Sequence, residues 1–208
     1  HDTLMSFDRL SLQYSLWPLL RGTIQVHSIV FDRLHVNLAQ RADSSWNFEE
    51  ILPPSAPDTA DTLSSKSFGL AVELGALQLR EAKVSLNMLD SVVPSYVSNI
   101  HLDVGGKYNS DEWEVDLRDF GFVTPPAMPD VKQLRGSLIN RDGVFGLKDF
   151  ALVTPRNRLD AKAKYTGMEQ LSGGVNTSPF YLDEFTWILP DIQLGVAPEI
   201  EIDAGVKD

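Results

Sequence analysis

Apolar residues alternate with polar ones at a period of two through most of this chain, and that restricts its regular structure to β-sheet. The alternation is clear at Leu70/Val72/Leu74, Leu77/Leu79, Val84/Leu86/Met88, Ile100/Leu102/Val104 and Trp113/Val115/Leu117. It returns at Leu134/Leu138, Leu159/Ala161/Ala163/Tyr165, Ile192/Leu194/Val196 and Ile200/Ile202. Successive side chains of a strand point to opposite faces, so each run puts its apolar residues on one side only. Gly105-Gly106, Asn109-Ser-Asp111, Asn140-Arg-Asp-Gly143 and Gly173-Gly174 read as turns between the runs. Many short strands at this spacing predict a mainly β fold built as an antiparallel sheet.

A phrase written twice shows how that sheet is repeated. Leu117-Arg-Asp-Phe-Gly-Phe-Val-Thr-Pro125 returns 30 residues later as Leu147-Lys-Asp-Phe-Ala-Leu-Val-Thr-Pro155, and a looser copy is Leu182-Asp-Glu-Phe-Thr-Trp-Ile-Leu-Pro190. Self-similarity over 20–50 residues marks stacked architectures in which each unit contacts its neighbours. The core of the phrase, apolar-charged-charged-apolar, also occurs at Phe7-Asp-Arg-Leu10 and Phe31-Asp-Arg-Leu34. Across it the parity of the apolar positions changes: Trp113, Val115 and Leu117 are odd, whereas Phe120 and Phe122 are even. A β-bulge or sharp bend makes that change and keeps the apolar set on one face. Two short strands meeting at the charged pair would produce it too. In either case bends at matching places curve the sheet. The following Thr-Pro ends pairing, because proline has no N–H to donate.

The N-terminal part carries a different pattern. Ser15-Leu-Trp-Pro-Leu-Leu-Arg-Gly22 reads as a short helix stopped by glycine, and Ser44-Ser-Trp-Asn-Phe-Glu-Glu-Ile-Leu52 as a second short helix capped by Ser45. Ile24/Val26 and Leu34/Val36/Leu38 form a strand pair between them. Residues 53–67 are rich in Pro, Ser, Thr and Asp and read as a loop. The chain therefore divides into a module at 1–52, that loop, and a repetitive β segment at 68–208 continuous with the first module.

Composition excludes several functions. With 43% apolar and 23% charged residues a packed structure is feasible and global disorder is not expected. The net charge of −11 argues against nucleic acid and against an anionic membrane surface as direct electrostatic partners. Without cysteine there is no thiolate chemistry and no disulfide. No apolar run reaches the length of a membrane-spanning helix. The start at His1-Asp2 is expected of a piece of a longer chain.

Residues able to do chemistry are few. His35 and His101 alternate with apolar neighbours and fall on the polar face of their strands, without metal-ligand spacing; His1 and His27 add none. Glu49-Glu50, Asp111-Glu112 and Asp183-Glu184 are acidic pairs of the kind glycoside chemistry uses, yet adjacent strand residues point to opposite faces. No nucleophile elbow, phosphate-binding loop or zinc-protease motif is present. No enzyme activity, metal or cofactor is expected.

The segment from Phe7-Asp-Arg-Leu10 through Leu16-Trp-Pro-Leu-Leu-Arg-Gly22 to Trp46-Asn-Phe48, with the repeat unit Gly143-Val-Phe-Gly-Leu-Lys-Asp-Phe-Ala-Leu-Val-Thr-Pro155, resembles the AsmA/TamB-like bacterial envelope proteins. It is most similar to their translocation-and-assembly-module subgroup, over roughly 6–52 and 68–167. The resemblance implies a periplasmic segment of a protein anchored in the inner membrane by a helix that this sequence lacks. It implies phospholipid transport between the two membranes, or assembly of outer-membrane proteins with a barrel partner. Such a protein would form a groove for acyl chains, lined here by Ile24, Val26, Leu34, Val36, Leu38, Leu77, Leu79, Val84, Leu86, Ile100, Leu102, Trp113, Val115, Phe120, Phe150 and Trp187. The same alternation would serve a closed β-sandwich core. A scaffold that accepts a strand at an open sheet edge is the alternative function.

Overall fold

The computed structural model describes residues 3–49, 71–88, 95–109, 112–126, 128–165, 171–177, 180–181, 184 and 200–205. These residues form one 12-stranded, mainly β sheet that is curved and open. Its strands are β1 Met5–Ser6, β2 Arg9–Ser15, β3 Thr23–Asp32, β4 His35–Ala39, β5 Ala71–Asn87 and β6 Tyr96–Asn109. They continue with β7 Glu112–Val123, β8 Val131–Arg141, β9 Val144–Val153, β10 Arg158–Tyr165, β11 Leu171–Thr177 and β12 Ile200–Gly205.

From β5 to β12 the strands form an antiparallel meander, each paired with the next. Hairpins make this cheap. At Asp142-Gly143 both turn residues have positive φ, 52° and 77°, the two-residue geometry that matches strand twist. The expectation of a purely antiparallel sheet needs correction at the other end. β3 and β4 both run parallel to β5, β3 along Ala71–Arg80 and β4 along Lys83–Asn87. Parallel neighbours require a long connection, and the 53–67 stretch lies in the span that joins β4 to β5.

The two expected helices are not α-helices. Trp17–Arg21 is a single 3-10 turn, with Pro18 near its start and Gly22 closing it in the left-handed conformation at φ 76°. Five residues with a proline leave too few N–H groups for an α-helical ladder. Residues 44–49 form turns around an isolated bridge, Gln40 to Trp46, and residues 50–52 lie outside the described set. Asn47 holds this segment by accepting from the Ala39 amide at 3.1 Å and donating to the Asn37 carbonyl at 2.8 Å. Gly105-Gly106 and Gly173-Gly174 lie inside β6 and β11 rather than at turns.

The bends expected at the charged pairs are present in the four copies that the structure describes, in both of the forms left open; the copy at Leu182-Asp-Glu-Phe185 lies outside the described residues but for Glu184. In β7 and β9 they are irregularities within a continuous strand. Leu117 and Phe120 pair with Gly136 and Leu134, so two residues of β7 face one of β8. Leu147 and Phe150 pair with Ala163 and Ala161 in the same way. At Phe7-Asp-Arg-Leu10 and Phe31-Asp-Arg-Leu34 two strands meet instead, β1 with β2 and β3 with β4.

These irregularities form two creases across the sheet, one through Arg33, Glu81 and Asn99 and one through the bulges of β7 and β9 beside Gly136. Arg33, Glu81, Asn99 and Asp149 have left-handed φ of 51°, 53°, 50° and 49°. The Arg33 amide bonds the Arg80 carbonyl at 2.8 Å, and Lys83 bonds Leu34 at 2.8 Å, so the β3/β4 junction lies beside Glu81. Ala82 pairs with Ile100, next to Asn99. All four left-handed residues are exposed, whereas Ala82 and Ile100 are buried. The buried side chains at the bend lie on the apolar face and the exposed ones on the other. The strands contact their neighbours in the sheet and no second sheet faces them, so there is no closed sandwich core among the described residues.

Gly136, φ 155°, sits on the second crease where an added Cβ would lie 3.0 Å from the Phe150 Cα. Gly136→Ala is expected to cost roughly 1–3 kcal/mol, the strain of a disfavoured backbone region. Asp149→Gly is expected to leave stability unchanged or raise it, since glycine removes that strain. Urea unfolding of the two variants checks the pair.

Candidate functional site

Strand registers place the apolar side chains in rows that run across the sheet. One row joins Ile24, Val72, Tyr108, Trp113, Asn140, Phe145 and Tyr165. The next joins Tyr14, Val26, Leu74, Gly106, Val115, Leu138, Leu147 and Ala163. Nearer the first crease come Leu12, Ile29, Leu77, Val104 and Leu117, then Leu10, Phe31, Leu79, Leu102, Phe120, Leu134, Leu152 and Leu159. Beyond it lie Val36 with Val84, and Leu38 with Leu86.

No second layer covers these rows among the described residues. Val115 is 41% exposed, Leu138 48% and Phe145 44%, in the middle of the sheet where a sandwich would bury them. Aromatic contacts tie strands together on this face, β7 to β9 across β8 and β9 to β10. Trp113 meets Phe145 edge to face at 6.2 Å, and Phe145 meets Tyr165 at 6.2 Å. Phe7 meets Phe31 at 5.8 Å across the N-terminal strands. Such pairs prefer offset or edge geometry and fix ring orientation without filling the space above. Asn140 interrupts the aromatic row, and its buried Oδ1 has no hydrogen-bond partner.

The opposite face is polar and held by charge. Arg118 donates to Asp103, at 2.6 Å, to Asp116, at 3.3 Å, and to the Gly75 carbonyl, linking β5, β6 and β7. Gln78 donates to Asp103 at 2.9 Å, and Ser137 to Asp116 at 2.7 Å. Lys107 lies 3.1 Å and Arg141 3.6 Å from Glu114. His101 approaches Asp119 at 3.3 Å, which places it on this face as the alternation requires.

The expected lining residues mostly share the apolar face. Ile24, Val26, Leu77, Leu79, Leu102, Trp113, Val115 and Phe120 lie in the rows above, Val36, Leu38, Val84 and Leu86 beyond the first crease, and Ile100 in its corner. Phe150 joins them through Ala161 and Val175. Leu34 departs: it belongs to the β3/β4 junction and to no strand. Trp187 lies outside the described residues. Leu138, Phe145 and Tyr165 were not picked out as lining residues, although they follow the same parity. The cluster Leu16, Trp17, Leu19 and Leu20 was passed over because it was read as a helix with a face to bury; every one of these side chains is exposed.

Chemistry of other kinds finds little to work with. Among the described residues no three His, Asp or Glu side chains converge to hold a metal, and no helix is long and apolar enough to cross a membrane. Hydrogen bonds from Ser45 hold the Asp43 carboxyl below its ordinary value, and Arg158 does the same for Asp160. Both shifts are opposite to what a general acid needs. Of the acidic pairs, Glu50, Asp111 and Asp183 are outside the described residues. Glu184 accepts from Thr154 and, at 2.5 Å, from Asn157, a structural tie behind the second Val-Thr-Pro. No family model, curated protein or solved structure matches this chain.

Arg118→Ala is expected to lower stability by about 1–2 kcal/mol, less than a buried charged network because the guanidinium is partly solvated. The same variant should show a weaker dependence of the urea midpoint on salt than the parent chain.

Proposed function

We propose that this chain is a non-enzymatic segment whose uncovered apolar face carries lipid acyl chains, as part of an AsmA/TamB-like envelope protein on the periplasmic side of the bacterial inner membrane. The observation that carries this reading is the uncovered apolar face itself, continuous over the described strands and backed by a polar face. A soluble monomer rarely exposes a contiguous apolar patch beyond a few hundred Å² unless something binds there. The rows lack charge, and their hydrogen-bonding groups, Tyr14, Tyr108, Trp113, Asn140 and Tyr165, are gathered in the two rows at one end, so the rest suits a ligand defined by length and apolarity.

The energetics favour passage over capture. Each methylene removed from water is worth about 0.8 kcal/mol, so seven of them on the trough give roughly 6 kcal/mol relative to water. A bilayer offers the same chains a comparable environment. Exchange between membrane and trough is therefore close to neutral, which a conduit between the inner and outer membranes requires.

Native mass spectrometry of the purified chain, with extraction of bound lipid, tests the reading. The parent protein is expected to retain phospholipid, and Val115→Asp/Leu138→Asp to retain at least tenfold less while unfolding at a similar urea concentration. Both side chains are already part exposed, so charge there need not unfold the sheet. A parent protein that retains no lipid and takes up none from labelled vesicles would sink the proposal.

A scaffold that receives a strand from an outer-membrane barrel partner or client is the second reading. It is favoured by β2, which pairs only with β3 among the described strands and so presents its other edge unpaired. Crosslinks confined to the β2 edge, with protein partners and no lipid, would decide for it.

A further inference from the structure

The most exposed apolar side chains are not in the trough. Trp17 is 83% exposed, Leu20 78% and Leu16 66%, all on the 3-10 turn between β2 and β3. The turn does not owe this exposure to disorder of its backbone. Leu19 bonds the Leu16 carbonyl at 3.1 Å, Gly22 bonds Leu19 at 3.0 Å, and Ala71 bonds Gly22 at 2.9 Å, tying the turn to β5. It stands at the end of the sheet where Tyr14 and Ile24 begin two of the apolar rows.

We infer that residues Leu16–Arg21 are a membrane-contacting tip that seats in the boundary between headgroups and acyl chains of a zwitterionic bilayer. Its purpose rests on the lipid-carrying reading, because it would bring the open end of the trough against the source or destination of the lipid.

Three observations select this occupant. The first is shape. A stable protein interface buries about 800 Å² on each partner, whereas a five-residue 3-10 turn is about 10 Å long and convex. A bilayer needs no complementary cleft and admits a wedge 5–10 Å deep. The second is composition. Tryptophan, two protruding leucines and a terminal arginine match the layered polarity of the interface, where an indole keeps its N–H wet and its ring in apolar surroundings. The third is charge. Arg21, which has no ion-pair partner among the described residues, and Glu73 line one cavity of about 410 Å³ under Trp17 and Pro18. Gln25 orients the carboxylate by donating to it at 3.0 Å. A guanidinium and a carboxylate lining one cavity suit a phosphate and an ammonium in one headgroup. A net charge of −11 disfavours a surface that is itself anionic.

Co-sedimentation of the whole chain with phosphatidylcholine vesicles tests the tip. The parent chain is expected to sediment, Leu16→Glu/Leu20→Glu to sediment at least tenfold less, and Val115→Asp/Leu138→Asp to sediment like the parent. That last variant separates the two readings, since it empties the trough without touching the tip. Failure of the parent chain to sediment overturns the inference, as does undiminished sedimentation of the tip variant. If light scattering shows a dimer that the tip variant abolishes, the tip is a contact between copies and the inference also falls. Urea unfolding at an unchanged midpoint ensures that the tip variant is folded. Trp17→Phe should remove most of any blue shift in tryptophan emission that vesicles produce.

Discussion

An alternating strand has one apolar face, and bending it toward that face without losing the alternation requires a change of parity. Here the changes fall along two lines, and β10, with β8 from Leu134 to Asn140, keeps a single parity opposite bulged neighbours. Arg33, Glu81, Asn99 and Asp149 supply left-handed residues, and the Arg118-Asp119 pair of β7 supplies a two-for-one bulge with neither residue left-handed. Left-handed backbone costs an ordinary residue about 1–2 kcal/mol, so its recurrence across the sheet needs compensation from the packing on either side. Ala82 and Ile100 in the corner, and the charged residues outside it, provide some of that.

The two faces then take different work. On the polar face, ion pairs and side-chain hydrogen bonds run across strands, with Arg118 reaching three neighbours. On the apolar face, rings and branched aliphatic side chains lie against one another and, among the described residues, against nothing above. Stability comes from the ladders, from cross-strand pairs and from the network on the polar face.

Alternation made the β class legible, and the repeated Leu-x-Asp-Phe made its bends legible, because both are local properties of the backbone and side chains. Topology was not local. Nothing in Ile24/Val26 or Val36/Leu38 distinguishes a parallel neighbour from an antiparallel one, since both need the same alternation, and only the long stretch before β5 hinted at a crossover. The Leu-Leu-Arg-Gly phrase was misread for a related reason. Bulky apolar residues followed by glycine suit a helix that buries one face, but here the side chains of the turn are exposed and no surface among the described residues covers them. Leu34 was counted with the strand parity of Val36, whereas it lies at the junction where the chain passes from β3 to β4. Whether the apolar face was open or covered could not be decided from parity at all.

The parallel pairing of β3 and β4 with β5 also orders events in time. Strands β5 to β11 are joined by short connections and can zip in sequence, each hairpin closing a small loop. The N-terminal pair must instead close the span from Ala39 to Ala71 before it gains any contact with β5, and loop-closure entropy makes such non-local pairing slow. During biosynthesis the N-terminal strands therefore emerge first and dock late. For that interval the Ala71–Asn87 edge of the meander stands open, and β2 and β3 wait beside it as a hairpin without a sheet.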